Sequence, residues 1–261
     1  MKDKDQVKLL HNQYMGNGQD HYFTIDQGQL QVQPDQLFWI QTHQEKITRL
    51  LGLLSSDCFV DLGCGEGYFT IPLSRRSKIS VGFDFLTSAM EIVKRQVDYD
   101  PDHLSLVITT GENIPLEDQC VDKLLCNHIL EHVIDDDIFM GEIHRILRPG
   151  GRVLIGLPLE FSPQVQLLIR LRRFILPSSY QLLLEHAKPG ELMPELIGIQ
   201  NHIRFYSLKS VFNLLQRNGF QIVSAEGIGL SVPNQVRTTI RRSRLLFIIS
   251  TFLSSRIPSI G

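Results

Sequence analysis

The sequence predicts a doubly wound α/β domain with a mostly parallel sheet, on three observations. Two short apolar runs, Phe59–Val60 and Ile79–Phe83, each end at an acid, Asp61 and Asp84, and each leads into a stretch of helical character. Between the first run and its helix stand Gly63, Gly65 and Gly67 at alternate positions, the make-up of a tight turn whose backbone needs φ > 0. Further apolar runs alternate with helical patterns as far as residue 157, the rhythm of a parallel sheet with crossover helices.

Residues 1 to 34 are polar, rich in Gln, Asp and Gly, and carry little periodic signal. From Pro34 to Leu54, apolar residues at 37, 40, 47, 50, 51 and 54 recur at helical spacing, and this helix feeds the first strand at Cys58. After the glycines a helix is expected over Tyr68–Ser77, with its first N–H groups pointing at whatever the turn holds. The second strand, Ile79–Asp84, ends about 20 residues past Gly63, where a nucleotide-binding unit places a carboxylate for ribose hydroxyls. The other reading of Asp84 is a cap for a helix over Thr87–Val97. In combination with the glycine turn, the ribose role is favoured.

A third strand is expected at Leu104–Thr109, a fourth at Val121–Cys126, a helix over Ile134–Leu147, a turn at Arg148–Gly151 and a fifth strand at Arg152–Leu157. The stretch from Leu159 to Phe205 is too long for a plain connection, which points to a functional insertion. Within it Val165–Leu176 has a helical, apolar pattern with Arg170, Arg172 and Arg173 as its charges. Ser207 is placed to cap a helix ending at Arg217, and Gln221–Ala225 reads as a further strand.

Composition narrows the class. At 43% hydrophobic and 21% charged residues the 261-residue chain can bury a sizeable core. Its 26 basic and 28 acidic residues give a net charge of −2 and no general argument for nucleic acid. Cys58, Cys64, Cys120 and Cys126 contain no C-x-x-C pair and read as reduced apolar residues of a cytoplasmic protein. Met1–Leu10 is charged without an apolar core, so no signal peptide is expected, and no apolar run is long enough to span a bilayer. Near the C-terminus, Arg237, Arg241, Arg242, Arg244 and Arg256 surround the apolar run Leu245–Leu253 with no acid. That composition suits either a peripheral contact with the inner face of an anionic membrane or a helix docked on its own domain. No Ser-His-Asp order, zinc spacing or P-loop supports a hydrolase or NTPase.

Glycine spacing separates two cofactors. The dinucleotide fingerprint G-x-G-x-x-G needs glycine where Tyr68 stands, so the fit to NAD is poor. A strand-terminal Asp61 followed by Gly63-Cys64-Gly65-Glu66-Gly67 instead resembles the first motif of the class I S-adenosylmethionine-dependent methyltransferases. Gly111–Asp118 before Val121-Asp122, Leu130-Glu131-His132 after the fourth strand, and Leu147-Arg148-Pro149-Gly150-Gly151 before the fifth are similar to the methyltransferase type 11-like subgroup that includes ubiquinone-type O-methyltransferases.

The resemblance covers about residues 55 to 158. It implies a Rossmann-like, mostly parallel seven-stranded sheet with a helical cap insertion, and S-adenosyl-L-methionine as cofactor. The cofactor-binding residues it implies are Asp61, Gly63, Cys64, Gly65, Asp84, Phe85, Gly111, Glu112 and Asn127. In the family, the backbone near Gly63 and Gly65 packs against the methionine part and Asp61 orients the turn and the amino group. Members usually carry an acid where this chain has Thr110-Gly111, so the Thr110 hydroxyl, Glu112 or a carbonyl is expected at the adenine.

The organisation that follows is an N-terminal segment and leading helix (1–54), a cofactor-binding core (55–158), a helical cap (159–205), the end of the core (206–235) and a basic apolar tail (236–261). The expected activity is methyl transfer to a small or lipid-linked acceptor at oxygen. The alternative is a catalytically silent protein of the same fold that works as a membrane-recruited partner subunit. Glu160, His186, His202 and Tyr206 are candidate bases, and none is assigned as catalytic.

His128, Glu131, His132 and Asp136 form a separate group, with 128, 132 and 136 on one helical face if the helix starts early. The small-RNA 2′-O-methyltransferases and some quinone O-methyltransferases use an E-x-x-E-H arrangement at this place to hold a divalent ion. Here the first oxygen ligand is an imidazole, which disfavours Mg²⁺. The preferred reading is hydrogen-bonded loop residues that shape the pocket, and no metal is assigned.

Overall fold

The computed structural model describes residues 23–26, 29–32, 34–159, 187–193 and 202–227. The chain divides into two compact units, Met1–Leu157 with Met193–Ile203, and Pro158–Leu192 with Arg204–Gly261.

The first unit is built on β3 (Cys58–Leu62), whose Phe59, Val60 and Leu62 are buried. Burial of consecutive residues, Asp61 included, belongs to a strand covered on both faces. β3 pairs in parallel with β4 (Ile79–Asp84) on one side and β6 (Val121–Asn127) on the other. β5 (Leu104–Ile108) and β7 (Leu147–Gly156) extend the two flanks, giving the order β5-β4-β3-β6-β7 with every pair parallel. The chain runs outward from β3 to β5, then returns to build the other flank. A topological switch point therefore lies between β3 and β6, and ligands of such sheets bind at the carboxyl ends of the strands there.

Helices cover the sheet. α1 (Pro34–Leu51) presents Ile40, His43, Ile47 and Leu51 as one buried stripe. Ile47 and Leu51 pack with Phe59, Leu73 and Leu125 in one core cluster. α2 (Thr70–Ser74) is a single turn and a half, and α3 (Thr87–Lys94) buries Ala89, Met90 and Val93. Val93 joins Ile71 and Leu104 in a second cluster. α4 (Asp136–Ile146) starts where the Asp135 carboxylate accepts from Ile138 N–H at 3.0 Å. Its Arg145 donates to the Ile114 and Leu116 carbonyls and pairs with Glu142 and Asp118, which pins the loop between β5 and β6.

Among the described residues the parallel sheet has five strands, so the implied count of seven is not reached. Gln221–Ala225 forms no strand: Val223 is 68% exposed, and no apolar burial favours pairing there. β7 begins five residues earlier than expected, because Leu147 pairs with Val121 before a bulge at Arg148–Gly151. A two-stranded antiparallel hairpin, β1 (Phe23–Asp26) with β2 (Gln29–Val32), forms where no strand is expected. The helical pattern at 165–176 and the basic tail at 236–261 lie outside the described residues.

In the second unit, Ser207 and Ser210 form a reciprocal cap at the start of α5 (Leu208–Arg217), as expected. Phe205 and Tyr206 are buried beside it, and Arg204 donates to the Gly190 carbonyl at 2.7 Å. No helix among the described residues is long and apolar enough to cross a membrane.

Candidate active site

The turn after β3 is held from below. Gly63 and Cys64 N–H both donate to the Phe83 carbonyl, at 2.8 and 2.9 Å, and Gly67 N–H donates to the Cys64 carbonyl. Gly65 N–H donates to Asp84 Oδ2 at 2.8 Å. The turn's own N–H groups are thus spent on β4 and, for Gly67, on the turn itself. The helix behind it is Thr70–Ser74 rather than Tyr68–Ser77, because three glycines with positive φ occupy the approach to it.

What the turn offers is room. A Cβ on Gly65, at φ +50°, meets nothing within 4 Å, whereas one on Gly63, at φ +75°, lands 1.9 Å from Ile129 Cδ1. Gly63 is thus a joint on which the segment after β6 packs, and Gly65 is the open side. Asp84 stands next to that opening, 8% exposed, with Oδ1 accepting from Leu86 N–H at 2.9 Å. Each oxygen holds one backbone N–H and has lone-pair capacity for ribose hydroxyls. Burial pushes the Asp84 carboxyl up, opposed by the N–H groups of Leu86, Gly65 and Phe85. Open space beside a carboxylate at the end of β4 fits a nucleoside cofactor.

Asp61 lies under the turn, 3% exposed, and accepts a hydrogen bond from Thr70 Oγ1. Burial pushes its carboxyl up to about 7, the Thr70 bond opposing and the Asp84 charge adding. It locks the turn to α2, which makes Thr70 a site residue that sequence reasoning missed. Its signal was a hydroxyl at the start of the helix after the glycines. The Cys64 side chain is buried against Gly82, whose Cβ position is 3.1 Å from Cys64 Sγ, so only the Cys64 backbone faces the turn.

Two other strand ends complete the rim. Thr109 N–H donates to the Asp84 carbonyl at 3.0 Å, carrying the loop with Gly111 and Glu112 alongside β4. Gly111 is required by Phe139: an added Cβ would sit 2.1 Å from Phe139 Cε2. Phe85, Glu112 and Asn127 are all half-buried at this edge. The Asn127 amide lies over Gly156, whose Cβ would meet Asn127 Oδ1 at 2.0 Å.

After Asn127 the chain turns sharply. His128 adopts φ +60°, rare for a side-chain-bearing residue, and its N–H donates to the Gly156 carbonyl at 2.7 Å. Leu130–His132 is a single 3₁₀ turn followed by extended Val133, and α4 starts only at Asp136. His128, His132 and Asp136 therefore do not share a helical face. The fold instead joins Glu131 to His128, with His128 Nδ1 3.0 Å from Glu131 Oε1, and His132 to His202, whose ring centroids are 5.3 Å apart at 78°. Burial acts to raise the Glu131 carboxyl. The His128 hydrogen bond and the charges of His132, His128 and His202 overcome it and hold the group below its ordinary value. Of the candidate bases, Glu160 and His186 lie outside the described residues, and Tyr206 is buried in the second unit.

Residues 60–155 match the family model described as a methyltransferase domain. A demethylmenaquinone methyltransferase of Clavibacter sepedonicus is 28% identical over 173 residues, 64% of this chain and 67% of the relative. A mitochondrial ubiquinone biosynthesis O-methyltransferase of Rattus norvegicus is 30% identical over 110 residues, 39% of this chain and 31% of the relative. The chain thus spans from about a third to two thirds of the curated relatives it matches. Among solved structures, the YcgJ protein from Bacillus subtilis superposes with a TM-score of 0.56 at 15% identity, covering 84% of this chain and 86% of the other, which shows the shared fold.

Proposed function

We propose that this chain, whose residues 60–155 form a domain of the class I S-adenosylmethionine-dependent methyltransferases, moves a methyl group to oxygen on a small or lipid-linked acceptor. The observation that carries the cofactor reading is the pairing of the open Gly65 turn with the Asp84 carboxylate at the carboxyl ends of β3 and β4, inside the segment that matches the family. S-adenosylmethionine supplies a methyl group on a sulfonium whose departure is easy. The chain's own work is therefore to position two reactants and exclude water.

Asp84 would accept from the ribose hydroxyls. The turn from Gly63 to Gly67 would lie against the methionine part, and Asp61 would hold that turn through Thr70. Gly111 and Glu112 would border the adenine, and Asn127 the reacting centre. The oxygen preference rests on the relative named as a ubiquinone biosynthesis O-methyltransferase, and the lipid preference on the two quinone-directed relatives and on the Arg-bearing apolar sequences at 165–176 and 236–256.

The test is incubation of the purified chain with methyl-labelled S-adenosylmethionine and total lipid extract. Label is expected in the organic phase as a base-stable methyl ether. Label confined to a carbon–methyl or nitrogen–methyl product removes the oxygen assignment, and no transfer to any lipid or small phenol removes the acceptor class.

A further inference from the structure

The turn after β3 is permissive by composition, with Gly63, Gly65 and Gly67 all at positive φ, yet a cofactor lying against it needs one fixed shape. Two amide side chains from outside the turn hold it. Gln96, just past the end of α3, donates from Nε2 to the Glu66 carbonyl at 2.6 Å. Gln44, in α1, donates from Nε2 to the Tyr68 carbonyl at 2.9 Å. A carbonyl only accepts, so each glutamine must turn its NH₂ end toward it.

We propose that Gln44 and Gln96 are positioning residues for the cofactor, a clamp that fixes the peptide planes on either side of Gly67 and with them the surface that meets the cofactor's amino-acid end. Its part in cofactor binding rests on the methyltransferase reading. The peptide between Glu66 and Gly67 is held at both ends: Gln96 takes its carbonyl, and the Gly67 N–H donates to the Cys64 carbonyl at 2.9 Å. The peptide between Cys64 and Gly65 is held likewise, with the Gly65 N–H on Asp84 Oδ2 at 2.8 Å. Gln44 fastens the next carbonyl along, where the chain enters α2.

Both anchors are themselves fixed. Gln96 N–H donates to the Val93 carbonyl and its own carbonyl accepts from Tyr99 N–H, each at 3.1 Å. Val93 Cγ2 lies 3.1 Å from the Cβ position of Gly67, so only glycine lets the turn and the end of α3 come this close. Gln44 rides on a helix seated by buried Ile40, Ile47 and Leu51. Neither amide reaches the opening, since the Cβ position of Gly65 has nothing within 4 Å. Each glutamine is half-buried, where a neutral amide–carbonyl bond changes an equilibrium about fivefold.

The experiment is calorimetric titration of the purified full chain with S-adenosylhomocysteine and with 5′-methylthioadenosine, which keeps the adenine and ribose and lacks the amino-acid end. Gln44→Met and Gln96→Met keep side-chain length and helix propensity and remove the donor. Each is expected to weaken S-adenosylhomocysteine binding about fivefold and to leave 5′-methylthioadenosine binding unchanged, because the ribose still meets Asp84. Glu91→Gln, at an exposed position of α3, leaves both unchanged. If one methionine variant does not fold, the other carries the test, since the two donors sit on separate elements. A folded variant that binds S-adenosylhomocysteine as tightly as wild type, or one that loses both ligands equally, overturns the clamp while the methyltransferase reading stands on wild-type binding. A wild-type chain that binds neither ligand removes that reading and the clamp with it.

Discussion

Asp61 and Glu131 are buried carboxylates beyond the middle of two neighbouring parallel segments, one in β3 and one just after β6, and burial drives both carboxyls upward. Asp61 has a hydroxyl and a second acid for company and rises to about 7. Glu131 has three imidazoles around it and falls below its ordinary value. The same desolvation therefore yields a group suited to locking a turn in one case and a persistent anion in the other. Neighbours, more than depth, decide what a buried acid does.

The largest expected effect tests the Asp61 half. Its folded pKa exceeds the unfolded one, so its favourable contribution is complete below about pH 4 and is lost as pH rises through about 7. Asp61→Asn keeps an acceptor for Thr70 and removes the titration. Relative to wild type it should gain on the order of 4 kcal/mol between pH 4 and pH 8, read by urea unfolding across pH. An unchanged pH slope would remove the raised carboxyl from the account.

Gly63→Ala strikes the joint between the two regions. Strain at φ +75° and overlap with Ile129 should together cost about 3 kcal/mol and weaken cofactor binding. Gly65→Ala sharpens the contrast. With nothing near its Cβ, only the backbone strain of about 1 kcal/mol falls on stability, while the side chain fills the space reserved for ligand. A melting profile close to wild type with S-adenosylhomocysteine affinity lost is the expected outcome. The smallest effect lies on the Glu131 side. Its depressed pKa gives stability that is present above the ordinary carboxylate range and lost as pH falls through it, so Glu131→Gln should flatten the acid limb of the stability curve and leave the limb above pH 6 parallel to wild type.

Those two regions also differ in how far they could be read from the chain. The turn is local: a strand ending at Asp61, three glycines and a following hydroxyl are contiguous, and Asp84 is one crossover away, so periodicity and spacing suffice. Even there the helix was read too long, since it runs over Thr70–Ser74 rather than from Tyr68 to Ser77. The histidine cluster is tertiary. His202 reaches Glu131 through a backbone bond from Ile203, and no spacing in the sequence announces that pairing.

Helical periodicity also placed His128, His132 and Asp136 on one face. Asp135 capping delays the helix until Asp136 and breaks that register. The hairpin at 23–32 escaped because its strands are only four residues each, too short for their alternation of apolar and polar residues to stand out, and β7 was read short because Pro149 and Gly150 mark a bulge as readily as a turn.

The most direct measurement of the central claim is calorimetric titration of the purified chain with S-adenosylhomocysteine, beside the Asp84→Ala variant and an NADH control. The account predicts micromolar binding to wild type, at least a tenfold loss in Asp84→Ala from the missing ribose hydrogen bonds, and no heat from NADH. A folded wild-type chain that does not bind S-adenosylhomocysteine, or a variant that binds it equally well, would contradict it.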